Sequence, residues 1–223
     1  MKSIHTVTIQ FPEIALATRD AHKLRGYFGN LFKEHSPLLH NHLNDGQLRY
    51  AYPLVQYKVL NNIPTLVGIE EGAKLLTQLF LNIKELQIEG NTFPVNGKII
   101  RSAVQETGVA KDLFSYRFST LWMGLNQQNF SRYVQADPEQ QSTMLKKVAT
   151  GNMLSFFKGI SLYIEPHERI MLNLQVNQKN TTFKNKQMLA FAGNFTTNVK
   201  LPNYIGIGKA VSRGFGTIEM SKN

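Results

Sequence analysis

Apolar and polar residues alternate from the first positions of the chain. Val7, Ile9 and Phe11 fall to one side and Thr6, Thr8 and Gln10 to the other, which predicts a half-buried strand over 5–11. Pro12 closes it. The period then changes. Leu24, Tyr27/Phe28 and Leu31/Phe32 recur at helical spacing, so a helix is expected from Arg19 to Glu34, with Thr18 as its N-cap and Arg19, Lys23 and Arg25 on its polar face. A polar stretch from His35 to Gly46 follows. Extended runs over 48–60 and 63–69 then flank an Asn61-Asn62 turn and predict a hairpin. Glu70 and Glu71 put acids at the start of a helix reaching Ile83, where they suit the helix dipole, and a short strand is expected over 85–89. The resulting order, β-α-β-β-α-β, is the ferredoxin-like arrangement.

Pro94-Val95-Asn96-Gly97 is rich in turn formers and divides an expected first domain, 1–93, from a second, 94–223. Beyond it the pattern predicts strands over 98–106 and 113–122, a helix over 126–135, and a longer helix from Pro138, at its N1 position, to Phe157. Strands over 169–178 and 187–199 precede a glycine-rich stretch and a closing strand. The second half reads as a degenerate copy of the first, with extended chain and loop in place of the second helix. The expected fold class is therefore α+β, with two tandem ferredoxin-like domains of which the second is degenerate.

Charge narrows the choice of partner. The chain of 223 residues has 25 Lys+Arg against 15 Asp+Glu, a net charge of +10, which favours a polyanion such as nucleic acid or an anionic membrane surface. From Lys179 to the end there are seven cations (Lys179, Lys184, Lys186, Lys200, Lys209, Arg213 and Lys222) and one acid, Glu219. Phe183, Phe191, Phe195, Tyr204 and Phe215 are interleaved with them. Cations for phosphates beside rings for bases is the composition of a surface that takes single-stranded RNA or DNA. No basic helix with a strongly apolar face argues for a membrane surface, and no apolar run approaches the ~18 residues that a span needs. There is no cysteine, which excludes disulfides and thiolate metal sites. The N-terminus runs straight into a strand pattern without a signal-peptide core, so a cytoplasmic protein with no membrane partner is expected.

The glycine-rich stretch is Gly206-Ile207-Gly208-Lys209-Ala210-Val211-Ser212-Arg213-Gly214-Phe215-Gly216. Glycine lets a backbone approach a ligand closely, and Lys209 and Arg213 supply the charge that phosphates attract. Because the stretch exits into a strand rather than a helix, it is not a dinucleotide-binding turn, and the P-loop pattern is absent. Lys209 and Arg213 are candidate phosphate contacts, Ser212 a candidate hydroxyl donor, and the Gly206 and Gly208 amides a candidate anion nest. Arg19, Lys23 and Arg25 are candidates to line a nucleic-acid groove.

This stretch resembles the C-terminal glycine-rich loop of the CRISPR-associated endoribonucleases that process precursor crRNA, members of the RAMP superfamily. Arg49-Tyr50-Ala51-Tyr52-Pro53-Leu54-Val55-Gln56-Tyr57-Lys58, Leu121-Trp122-Met123-Gly124-Leu125-Asn126-Gln127-Gln128-Asn129-Phe130 and Gly151-Asn152 are similar to further pieces of that family. The resemblance implies two ferredoxin-like domains and metal-free cleavage of RNA. In that chemistry a general base takes the proton of a 2′-OH, leaving a 2′,3′-cyclic phosphate and a 5′-OH. CRISPR repeat RNA is the implied partner, with other CRISPR-associated proteins beside it and no cofactor; monomer and homodimer both stay open.

Such chemistry needs a base, an acid for the leaving oxygen, and a donor for the non-bridging oxygens. His35, His40 and His42 fall within eight residues, and imidazole serves as acid or base near neutral pH. By resemblance His40 and His42 are the catalytic candidates, with Tyr50 and Tyr52, placed on one strand face by their spacing, assisting. Lys58 and Arg49 are lesser candidates for the developing charge. Zinc bound by the histidines and Asp45 is the alternative, with a solvated loop as the plain one. A non-catalytic RNA-binding RAMP subunit that holds crRNA in an effector complex is the rival function.

Overall fold

The alternating N-terminal run becomes β1 (Lys2–Gln10), the first strand of a unit formed by Ser3–Gln105 together with Val211–Gly214. The computed structural model describes residues 1–32, 52–80, 83–183 and 186–221. After β1 a 3-10 turn (Thr18–Asp20) leads into α1 (Ala21–Leu31). Thr18 therefore opens the turn instead of capping the helix. Asp20 stands at the N-cap of α1, and its carboxylate accepts the Ala17 N–H at 3.0 Å.

The hairpin is β2 (Val55–Leu60) and β3 (Ile63–Ile69). Asn61 and Asn62 both take positive φ, 49° and 65°, as a two-residue hairpin turn requires for strands with right-handed twist. β2 begins at Val55, later than the alternation from residue 48 suggested, and Tyr52 precedes the strand. α2 (Glu71–Phe80) follows, with Glu71 in its first turn. The expected strand at 85–89 exists as β4 (Glu85–Ile88), but it pairs with β5 (Asn91–Pro94) in a separate two-stranded sheet.

The place beside β1 belongs to β6 (Ile99–Phe118), whose first stretch completes the order β2-β3-β1-β6 in this unit. That is the split βαβ order, with the first and third strands adjacent and the fourth flanking the first. Phe28 is the centre of the core, with ring centroids 4.7 Å from Phe80, 5.0 Å from Tyr27 and 5.8 Å from Tyr57. Ala21, Leu24 and Phe28 form the buried stripe of α1, whereas Leu31, which the periodicity also placed on that stripe, is exposed.

The second unit comprises Met1–Lys2, Glu106–Ala210 and Phe215–Asn223. Its sheet contains the rest of β6, β7 (Leu172–Phe183), β8 (Lys186–Lys200) and β9 (Ile218–Met220). β8 pairs with both β6 and β7, and β9 pairs with β6, all antiparallel. The order β9-β6-β8-β7 repeats the split pattern, and no α-helix joins β8 to β9 among the described residues, which is the degeneracy expected. Two separate strands were expected where β6 runs unbroken. Its register slips between Val109 and Phe114, so the Lys111-Asp112 stretch that looks like a loop is a bulge.

α3 (Gln127–Gln135) starts at Asn126, whose side chain accepts the Asn129 N–H at 2.7 Å. α4 (Pro138–Gly159) has Pro138 in its first turn and is capped by Asp137 through the Gln140 N–H at 2.8 Å. The division between the units falls within β6 rather than at the Pro94–Gly97 turn. Among the described residues no helix is long and apolar enough to cross a membrane.

Candidate functional site

In the first unit two of the three cations singled out, Lys23 and Arg25, lie on α1, whereas Arg19 lies in the 3-10 turn that precedes it. Arg19 is exposed. Lys23 sits 2.6 Å from Asp20 and 2.7 Å from Glu89. Hydrogen bonding to Asp20, then to Glu89, raises the Lys23 ammonium above its ordinary value. Burial works to raise the Asp20 carboxyl, but Lys23 and the Ala17 amide together hold it below its usual value. Lys23 thus ties α1 to the turn that follows β4.

Arg25 is placed differently. Burial, and then the neighbouring charge of Arg213, push its guanidinium below its ordinary value, with Tyr57 opposing. Arg213 ends a 3-10 turn (Val211–Arg213) that packs beside β2 and α1. Gly214, which follows at φ 90°, explains the fit. A Cβ there would lie 2.7 Å from the Ala21 Cβ, so only glycine lets the turn lie against α1. Two half-buried arginines, Arg25 and Arg213, are thereby brought within electrostatic reach across a sequence separation that no local pattern reveals. Holding like charges together costs free energy, and an anion bound by both removes that cost. Ser212, also half-buried, stands between Val211 and Arg213 in the same turn.

Beneath them β2 is buried on both faces. Tyr57 faces the aromatic core, and burial raises its phenol. Lys58 points the other way and is fully buried, 0 % exposed, where desolvation lowers its ammonium to about 7. Gln56, on the same face as Lys58, is also 0 % exposed. Its Nε2 donates to Tyr52 Oη at 2.8 Å and to the Pro53 carbonyl at 3.1 Å. Nothing local in the sequence signals the burial of Gln56 and Lys58. His40, His42, Tyr50, Arg49, His35 and Asp45 lie outside the described residues, so the zinc alternative does too.

In the second unit the other part of the glycine-rich stretch folds against Trp122. Gly206 is buried and bridges antiparallel to Thr217, and Ile207 N–H donates to the Gly216 carbonyl at 2.9 Å. Lys209 N–H donates to the Met123 carbonyl at 2.8 Å, leaving the exposed Lys209 side chain at the end of the turn. Gly208 takes φ 105°, and a Cβ there would fall 2.7 Å from Trp122 Nε1. Gly208, expected to form part of an anion nest, is held in close packing against this indole. Trp122 Nε1 donates to Asn152 Oδ1 on α4 at 3.1 Å, and its backbone exchanges hydrogen bonds of 2.8 and 2.9 Å with Phe191. The pieces Leu121–Phe130, Gly151-Asn152 and Gly206–Gly216, far apart in sequence, meet at this indole. Of the interleaved aromatics, Phe191 and Phe195 are core residues, while Phe183 and Phe215 make a half-buried edge-to-face pair at 5.3 Å.

Comparison with known proteins follows the same division. Residues 2–106 match the Cas6b N-terminal domain, and residues 108–221 match the Cas6b C-terminal domain. An uncharacterized protein of Methanocaldococcus jannaschii is 32% identical over 141 residues, covering 63% of this chain and 95% of its own length. Among solved structures, a Cas6b crystal structure aligns over 99% of this chain and 100% of its own at 32% identity and a TM-score of 0.94. A second, described as the CRISPR RNA processing endoribonuclease Cas6b, aligns over 99% and 100% at 29% identity and a TM-score of 0.80. A type IV CRISPR-Cas Cas6 crRNA endonuclease, 11% identical with a TM-score of 0.60, shares the fold. With both of its domains matched in order along nearly the whole sequence, this chain belongs to the Cas6b family.

Proposed function

We propose that this chain is an endoribonuclease that binds CRISPR repeat RNA in the cytoplasm and cuts precursor crRNA once within each repeat, without a metal ion. The observation that carries the reading is the match of both domains to Cas6b, together with likeness along the chain to a solved CRISPR RNA processing endoribonuclease. His40 and His42 act as the acid/base pair. One takes the proton of the 2′-OH, which attacks the adjacent phosphorus; the other protonates the departing 5′-oxygen. The ends are a 2′,3′-cyclic phosphate and a 5′-OH. Tyr52, with Tyr50, donates to the phosphate as charge develops on its oxygens.

Binding rests on cations for the phosphates of a polyanion. Arg25 and Arg213 form one phosphate contact with Ser212 beside them, and Lys209 forms another. Arg19 adds exposed charge in the 3-10 turn before α1. Lys23, which already holds Asp20 and Glu89, contributes to the local field. Gly206 and Gly208 shape the turn that presents Lys209.

Incubation with a repeat RNA in EDTA tests the proposal. Two products are expected, the upstream one ending in a cyclic phosphate. A 2′-deoxy substitution at the cut position and the His40→Ala/His42→Ala double variant should each abolish cleavage while binding persists. Tight binding with the wild-type RNA left intact would instead support a crRNA-holding subunit.

A further inference from the structure

An open cavity of about 590 Å³ lies in the first unit between α1 and the β4–β5 hairpin. Two residues one turn apart on α1, Tyr27 and Leu31, supply apolar lining. Leu31 is 47 % exposed there, although the periodicity of the helix assigns it to the core stripe. Tyr27 is held in place by β4. Its hydroxyl donates to the Glu85 carbonyl at 3.2 Å and receives the Gln87 N–H. Both groups lie on the edge of β4 that turns away from β5. Ile88 and Asn91 close the two-residue turn, so the next pair, Gln87 opposite Thr92, points its main-chain groups outward. The Gln87 carbonyl shares that edge and places a main-chain acceptor beside the tyrosine ring. Asn30 on α1 and Thr92 on β5, both exposed, add an amide and a hydroxyl to the lining.

Charge decides what kind of group belongs in this cavity. Lys23 is the one cation among its described lining residues, and it is held 2.6 Å from Asp20 and 2.7 Å from Glu89. With that ammonium matched by two carboxylates, the cavity has no surplus positive charge to draw a phosphate. Apolar walls with donors and acceptors at one side suit a flat, neutral ring that carries its own donors and acceptors on its rim. We propose that the cavity takes one unpaired nucleobase of the repeat RNA, with its face against Tyr27 and Leu31 and its edge on Asn30, Thr92 and the Gln87 carbonyl. The proposal rests on the RNA binding proposed above and adds a subsite to it. Unpaired bases are recognised in this way, stacked on an aromatic side chain and hydrogen-bonded along their edges. The Asn30 amide offers a donor and an acceptor side by side, the pattern that matches a base edge. Phosphate contacts such as those of Arg25 and Arg213 hold any RNA, whereas a base subsite distinguishes one sequence from another.

A scan of single abasic substitutions along a repeat RNA, read as Kd, tests the subsite. One or more positions should cost the wild-type protein about tenfold in affinity, the scale of losing a stacked base. The Asn30→Ala/Leu31→Ala double variant should bind the intact repeat about tenfold more weakly, yet at one of those sensitive positions the abasic change should cost it less than twofold further. The slope of log K against log salt should be the same for variant and wild type, because no phosphate contact is removed. Thr92→Trp, which fills the cavity from β5, should reproduce the double variant, and it carries the comparison if the double variant does not fold by circular dichroism. An abasic profile of the same shape in variant and wild type would overturn the proposal while leaving RNA binding intact. A salt slope lowered by about 0.7 would overturn it too, making the cavity a phosphate seat. Failure of the wild-type protein to bind the repeat at all would remove the proposed function along with the subsite.

Discussion

Replacing Lys58 with methionine should stabilise the protein by an amount that falls as pH rises. Lys58 is fully buried, and desolvation brings its ammonium from 10.5 to about 7 in the folded chain. Between those values the unfolded chain binds a proton that the folded chain does not, so wild-type stability climbs with pH, tenfold in the folding constant per unit. Methionine fills a similar volume and has no such proton to release. The titration cost it removes is about 4 kcal/mol at pH 7.5, about 3 kcal/mol at pH 8.5 and about 1 kcal/mol at pH 9.5. These are upper values, because the polar interactions of the buried amine are lost with it. Urea denaturation of both proteins at the three pH values gives the difference directly, since other titrating groups cancel. A difference that stays flat across that range, or a variant less stable at pH 7.5, would refute the reasoning.

Other outcomes are expected elsewhere in the molecule. Gly208→Ala forces a side chain into φ 105° with its Cβ 2.7 Å from Trp122 Nε1, and thermal or urea unfolding should show a loss of about 2–4 kcal/mol. Asn152→Leu leaves the buried Trp122 N–H without its 3.1 Å acceptor; a loss of about 1–3 kcal/mol is expected, and because Trp122 is the chain's one tryptophan, its emission should shift in the folded state. Arg25→Gln and Arg213→Gln should each reduce the slope of log K against log salt for single-stranded repeat RNA by about 0.7, with unchanged slopes ruling out phosphate contact.

Much of the element order was legible because it rests on local physics. The Asn61-Asn62 turn, the helix that becomes α3 and Pro138 at the head of α4 are each set by the geometry of a few neighbouring residues. What the sequence hid is non-local. Gly108, Lys111 and Asp112 look like loop residues, yet β6 passes through them because a bulge absorbs the extra chain while β8 continues the pairing. β4 has the alternation of a sheet strand, but only the pairing partner decides which sheet, and β5 takes it. For the site, residue types and the glycine-rich stretch pointed to phosphate binding. The division of that stretch is invisible to spacing: Lys209 belongs to one unit, whereas Arg213 belongs to the other and is set beside Arg25. The resemblance marked Tyr52, but not the buried glutamine that donates to its hydroxyl oxygen.

The return of Val211–Gly214 to the first unit has a consequence for how the protein is made. A polypeptide emerges from the ribosome N-terminus first, and its early domains ordinarily fold before the later ones exist. Here the residues up to Gln105 are synthesised without the turn that packs against α1 and β2. At ordinary elongation rates, residue 214 follows residue 105 by about 5 to 20 seconds. Throughout that interval the nascent N-terminal half has an uncovered flank. Truncation from the C-terminus would therefore damage the beginning of the protein, and a stalled or shortened transcript would yield a chain that never acquires its Arg25–Arg213 pair.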